Sequence, residues 1–150
     1  MAFVSQIQEI IMIQLEHINL VVSDIDAALK FYRAAFPHWR IRDTGNGDWY
    51  GKPRTWVHFG DDYQYLVFND HGEGENRDLR GHQVGLAHFA FVTHDLDAII
   101  RRLDAAGFAV EKDGADEPWR RNVYFIDPDG FEVEFVQYLS DLPGERNLSS

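Results

Sequence analysis

Cysteine is absent from the 150-residue chain. That excludes disulfides, a thiol nucleophile and any thiolate metal site, and it fits a cytoplasmic protein. Positive charge is also scarce: 14 Lys and Arg face 25 Asp and Glu, for a formal net charge of −11. Phosphate backbones and anionic membrane surfaces need a clustered positive face, so neither nucleic acid nor membrane is an expected partner. No apolar run approaches the ~20 residues of a membrane-spanning helix. The N-terminus lacks the basic start and small-residue cleavage site of a secretory signal. A small molecule is left as the expected partner. At this length, with 45% hydrophobic residues, the chain reads as one domain with a real core.

What is present is a repeat. "LEHINLVVSDIDAALKFYRAAF" from Leu15 aligns without a gap on "LAHFAFVTHDLDAIIRRLDAAG" from Leu86, 71 residues later. His17 meets His88, Val21 meets Val92, Asp24 meets Asp95, and Ala34-Ala35 meet Ala105-Ala106. Each copy predicts a strand (14–22 and 86–93), a cap at Asp24 or Asp95, and a helix. Ile25, Leu29, Tyr32 and Phe36 hold helical spacing in one, and Leu96, Ile99, Ile100 and Leu103 in the other. The helices end near Pro37 and Gly107, and short strands follow at 38–42 and 108–111. Loops carrying Gly45, Gly47, Gly51 and Pro53, or Gly114 and Pro118, lead to a hairpin: "TWVHFGDDYQYLVFN" in the first copy, "NVYFIDPDGFEVEF" in the second. In the latter, Asp127-Pro128-Asp129-Gly130 supplies the turn.

The expected fold is therefore α+β: two βαβββ units, about 13–69 and 84–139, in one domain spanning 13–150. Their curved mixed sheets carry helices on the outer face. The polar, glycine-rich stretch 70–83 links the units. Residues 1–12 form an extension. Phe3, Ile7, Ile10 and Ile11 suit a short amphipathic helix; alternatively, Met12 is the biological start.

Alternation assigns the faces. Ile18, Leu20 and Val22, like Phe89 and Phe91, belong under the helices, which turns His17 and His88 to the concave side. In the last strand Phe131, Val133 and Phe135 form a core face, and Glu132 and Glu134 point the other way. The hairpin taken alone makes that face a wet one. Either histidine alone reads as a hydrogen-bonded strand residue. Together, His17, His88 and Glu134 read as a facial metal site: two neutral imidazoles and a carboxylate, with positions left open for water or substrate. Iron, nickel, zinc or manganese suits that donor set.

The paired βαβββ units, "HINLVVSDIDAALKFY", the second histidine opening the fifth strand and "FIDPDGFEVEF" resemble the vicinal oxygen chelate superfamily. That superfamily takes in glyoxalase I, fosfomycin-resistance enzymes, extradiol dioxygenases and metal-free bleomycin-binding proteins. The resemblance spans about Ile13 to Tyr138, and its metal ligands match His17, His88 and Glu134. It implies a metal-dependent glyoxalase-like (lyase) or dioxygenase-like enzyme acting on a small oxygenated substrate. It also implies a homodimer in which His17 of one copy joins His88 and Glu134 of the other. Glyoxalase I has a further glutamate in the first half. Here hairpin similarity offers Tyr65, and a register slip offers Gln64, as candidates to complete the shell. The fosfomycin enzymes carry a threonine where Asn19 stands, and their cationic phosphonate-binding residues find no match. A metal-free sequestering protein and a fosfomycin-type thiol transferase are the alternatives.

Tyr65 and His58, with Glu134, are the candidate acid/base or oxyanion-orienting groups. Trp49, Tyr50, Trp56 and His58 either wall a pocket or fill core, and Tyr124 lines the site. Glu132 is expected at the rim. His38, His71, His82 and His94, and the "EPWRRN" segment containing Trp119, Arg120 and Arg121, are expected in solvated loops or at strand edges.

Overall fold

The computed structural model describes residues 13–146. The expectations for residues 1–12 lie outside that range. The first unit runs β1 (His17–Val21), α1 (Ile25–Ala35), β2 (Arg40–Trp49), β3 (Lys52–Gly60) and β4 (Tyr65–Asn69). The second runs β5 (Phe89–Val92), α2 (Leu96–Ala105), β6 (Lys112–Asp113), β7 (Arg120–Ile126) and β8 (Glu132–Tyr138), before a 3-10 turn at Pro143–Glu145. Each unit is a four-stranded mixed sheet, ordered β1-β4-β3-β2 and β5-β8-β7-β6. The first strand pairs in parallel with the last, and the remaining pairs are antiparallel. This is the α+β architecture of two βαβββ units that the repeat implies.

The caps form where the repeat put them. Asp24 Oδ1 accepts the Ala27 N–H at 2.9 Å, and Asp95 Oδ1 accepts the Ala98 N–H at 3.0 Å. A side-chain cap of this kind is worth about 1 kcal/mol. The helices bury Leu29, Phe31 and Tyr32, and Leu96, Ile99 and Leu103, against the outer faces of the sheets. One core spans both units: Phe31 packs edge-on against Phe108 and Phe125, and Phe36 against Phe91. Arg102 of α2 joins the helices by donating to the Ala34 and Ala35 carbonyls at 2.9 and 3.1 Å. Those carbonyls belong to the last turn of α1, which lacks partners of its own.

Strand bounds differ from the sequence reading in three places. The strand expected at 38–42 extends to Trp49, so Gly45 and Gly47 lie inside β2 instead of in a loop. Its turn is Tyr50-Gly51, with φ of 45° and 88°; two positive values make the mirror-image turn that matches strand twist. No strand forms at 108–111; the second unit has only the two-residue β6 in its place. Arg120 and Arg121 open β7 and are not loop residues. Among the described residues, no helix is long and apolar enough to cross a membrane.

Candidate functional site

Alternation along β8 turns Val133 and Phe135 into the core, both 0% exposed, and puts Glu132, Glu134 and Val136 on the concave face. That face is not wet: Glu132 and Glu134 are each 8% exposed. Glu134 Oε2 lies 3.2 Å from His88 Nε2, and Glu134 Oε1 accepts from Asn122 Nδ2 at 3.0 Å. Register explains the grouping. Glu134 pairs with Ala90 on one side and with Tyr124 on the other, while His88 immediately precedes β5. Tyr124 is held protonated because burial, then the Glu134 charge, push its pKa up.

Glu132 is a correction. It is buried instead of standing at the rim, and Lys112 Nζ meets its Oε1 at 3.0 Å. The same ammonium lies 4.7 Å from the centre of the Tyr124 ring. Asn122 was not singled out from the sequence. Asparagine in a strand carries no distinctive signal, and only the β7–β8 register brings it to Glu134.

His17 occupies the equivalent place on the first sheet. Its Nδ1 is 2.8 Å from Glu16 Oε1, which also accepts from the Tyr65 hydroxyl at 3.0 Å. The bonds from His17 and Tyr65 lower the Glu16 pKa. Glu16 carries no signal in the sequence, because the repeat matches it to Ala87. A carboxylate on one ring nitrogen leaves the other, Nε2, for a ligand. The Tyr65 ring stacks on His17 and on His58, each at 4.8 Å between centroids. Burial pushes the Tyr65 pKa up, and the bond to Glu16 adds to it, so the phenol keeps its proton. Burial lowers the His58 pKa, favouring the neutral imidazole.

The chain brings His88 and Glu134 together but leaves His17 on the other sheet. Among the described residues, no three ligating side chains converge to hold a metal ion. A cleft of about 530 Å³ opens between the β1 and β5 edges; His17, Tyr65 and Phe91 line it, whereas His88 and Glu134 do not. The counterpart of Glu134 is also settled by register. Asn19 pairs with Val67 as Ala90 pairs with Glu134, so the matching first-sheet residue is Val67 and not Tyr65. Gln64 lies before β4, its amide reaching the Leu15 carbonyl at 3.4 Å. His38, His82 and His94 are exposed as expected. His71 is not solvated: it is half-buried, 5.1 Å from the Trp49 ring.

Two concave sheets, each entered by a histidine at the start of its first strand, define a paired-module βαβββ protein. The chain belongs to the Glyoxalase/Bleomycin resistance protein/Dioxygenase superfamily, whose family model matches residues 14–135. The glyoxylase/bleomycin resistance protein/dioxygenase domain from Frankia is 24% identical with a TM-score of 0.68, covering 84% of this chain and 98% of that one. The glyoxalase family protein from Enterococcus faecalis is 20% identical with a TM-score of 0.65, covering 82% and 96%. The fosfomycin resistance protein FosX from Listeria monocytogenes, solved with Mn(II) and sulfate, is 21% identical with a TM-score of 0.59, covering 89% and 96%. At these identities the likeness is one of fold.

Proposed function

We propose that the protein is a divalent-metal-dependent enzyme of the glyoxalase or dioxygenase type, acting on a small oxygenated substrate. The observation that carries this reading is the buried Glu134 facing His88 at 3.2 Å on a concave sheet. A carboxylate withdrawn from water is costly unless it is compensated, and a cation shared with His88 compensates it. His88 and Glu134 of one copy supply two of the three donors of such a site. His17 of a second copy supplies the remaining imidazole, which makes the active form a homodimer. That FosX was solved with Mn(II) supports a divalent ion in this fold.

A bound ion would supply Lewis acidity to vicinal substrate oxygens at its open positions. The chain's own groups do the rest. Asn122 holds Glu134 Oε1, so that Oε2 faces His88. Glu16 holds His17 Nδ1. Neutral His58 accepts a substrate proton, and the protonated Tyr65 hydroxyl donates to a developing oxyanion.

The rival reading is a metal-free binder, favoured by the absence of three converging ligands among the described residues of one copy. Elemental analysis after anaerobic, chelator-free purification separates the two, comparing wild type with Glu134→Ala and His88→Ala. Bound iron that both variants lose directs the next assays to oxygen chemistry. Nickel, zinc or manganese lost in the same way directs them to isomerase, lyase or transferase chemistry. Wild type that binds none of these, even after metal is added back, overturns the enzyme reading.

A further inference from the structure

Across the concave face of the first sheet, four rings from three strands touch in series. His17 meets Tyr65, Tyr65 meets His58, and His58 meets Trp56, each pair 4.8 Å between centroids. These rings are not core filling. On β3 and β4 the alternate positions, Phe59 and Phe68, are 0% exposed under the helix. Trp56, His58 and Tyr65 are only half-buried, on the opposite face, and His17 is exposed. The indole packs against Gly45, its neighbour on β2: a Cβ there would come within 2.5 Å of the Trp56 ring.

Two arginines stand on this wall, in a chain whose net charge is −11. The Arg42 guanidinium sits 4.3 Å over the Tyr65 ring. Arg54 takes the next outward position on β3 after Trp56. Its guanidinium lies 5.1 Å over the Trp49 ring, and its Nε and Nη1 are shielded from solvent with no hydrogen-bond partner among the described residues. A buried guanidinium nitrogen without an acceptor is costly, and a bound anion supplies one. Of the carboxylates nearby, Glu16 is engaged by His17 and Tyr65, and Asp43 Oδ1 accepts the Thr44 N–H.

We infer that this wall recognises a planar aromatic anion, such as an aromatic carboxylate, as the substrate class of the site proposed above. The assignment rests on the metal-enzyme reading for its chemistry, but the binding needs no ion. A neutral aromatic would stack and give the guanidiniums no charged acceptor, whereas an aliphatic anion would pair with them and leave the rings uncovered.

The test uses the full chain stripped of metal with a chelator, titrated with 2-naphthoate, 2-naphthylmethanol and cyclohexanecarboxylate. Calorimetry and tryptophan fluorescence give the affinities. The expected result is saturable binding of 2-naphthoate at least about tenfold tighter than either comparator. Arg42→Ala and Arg54→Ala should each reduce the preference for charge, and Trp56→Leu the preference for the ring. Equal affinities for the three probes, no saturable binding, or a preference unchanged in the variants would overturn the inference. With no ion present, a negative result leaves the metal reading standing, and a failed metal analysis leaves this binding untouched.

Discussion

Val67 of β4 stands in the first sheet where Glu134 of β8 stands in the second: each pairs with the residue two places beyond a strand-opening histidine. One sheet therefore presents a carboxylate at this position and the other a valine that is 6% exposed. Val67→Glu should destabilise the metal-free protein by roughly 1–3 kcal/mol, the cost of burying an unmatched polar group. Adding Zn(II) or Mn(II) should then raise its melting temperature more than that of wild type, because binding to the native state adds stability. Thermal melts with and without metal check this; an identical metal response in both proteins contradicts it.

His17 lies on a different sheet from His88 and Glu134, so complementary defects should rescue each other. If two copies share the proposed site, the His17→Ala and Glu134→Ala variants should each bind little metal alone. After unfolding and co-refolding in equal amounts, the mixture should recover roughly one functional site in four, as random pairing of two chains requires. Metal stoichiometry reads the outcome. No recovery would remove the shared site.

Asp127 ties the last hairpin to the first helix. It is 4% exposed, accepts the Asp129 and Phe131 N–H groups at 2.9 Å each, and accepts the Tyr32 hydroxyl at 2.8 Å. Asp127→Ala should cost about 3 kcal/mol in urea denaturation, since several buried donors lose their acceptor. Asp127→Asn should cost about 1 kcal/mol or less at neutral pH, because it keeps an acceptor without burying charge.

Burial raises the Asp127 pKa, with the hydrogen bond from Tyr32 pulling the other way. The native state then holds this proton more tightly than the unfolded chain does. Its contribution is fully present below the ordinary aspartate range and is lost as pH rises through the raised native value. Wild type should therefore gain stability relative to Asp127→Asn on acidification through that window. Paired denaturation curves across that pH range measure the difference, and a constant gap would refute it.

Gly45→Ala should dislodge Trp56, because the new methyl would come within 2.5 Å of the indole. The expected cost is roughly 1–3 kcal/mol for overpacking, with a change in tryptophan emission. Gly47→Ala, whose Cβ would lie 3.6 Å from Arg54 Nη1, should show neither effect and serves as the control.

Local chemistry made much of this protein legible in the sequence. The caps at Asp24 and Asp95 and the turn at 127–130 depend on residues within a few positions of one another, and they formed as read. Alternation along single strands puts Phe89 and Val133 in the core cluster and Glu134 outside it, on the opposite face. The 71-residue offset relating His17 to His88 revealed the two units. That offset falls to 67 between Val67 and Glu134, because the long β2–β3 hairpin of the first unit has only a two-residue β6 as its counterpart in the second.

Pairing between distant strands is where the sequence stopped determining the answer. Hydrogen bonding across the sheets, between partners 48 residues apart in the first unit and 44 in the second, decided that Val67 and not Tyr65 matches Glu134. The β7–β8 hairpin register set Asn122 beside Glu134, and β1–β4 pairing brought the Tyr65 hydroxyl to Glu16, the sequence neighbour of His17. Burial of Glu132 and Glu134 was likewise a tertiary outcome: one strand's pattern shows which way a side chain points, but solvent exclusion comes from the neighbouring strands that enclose it.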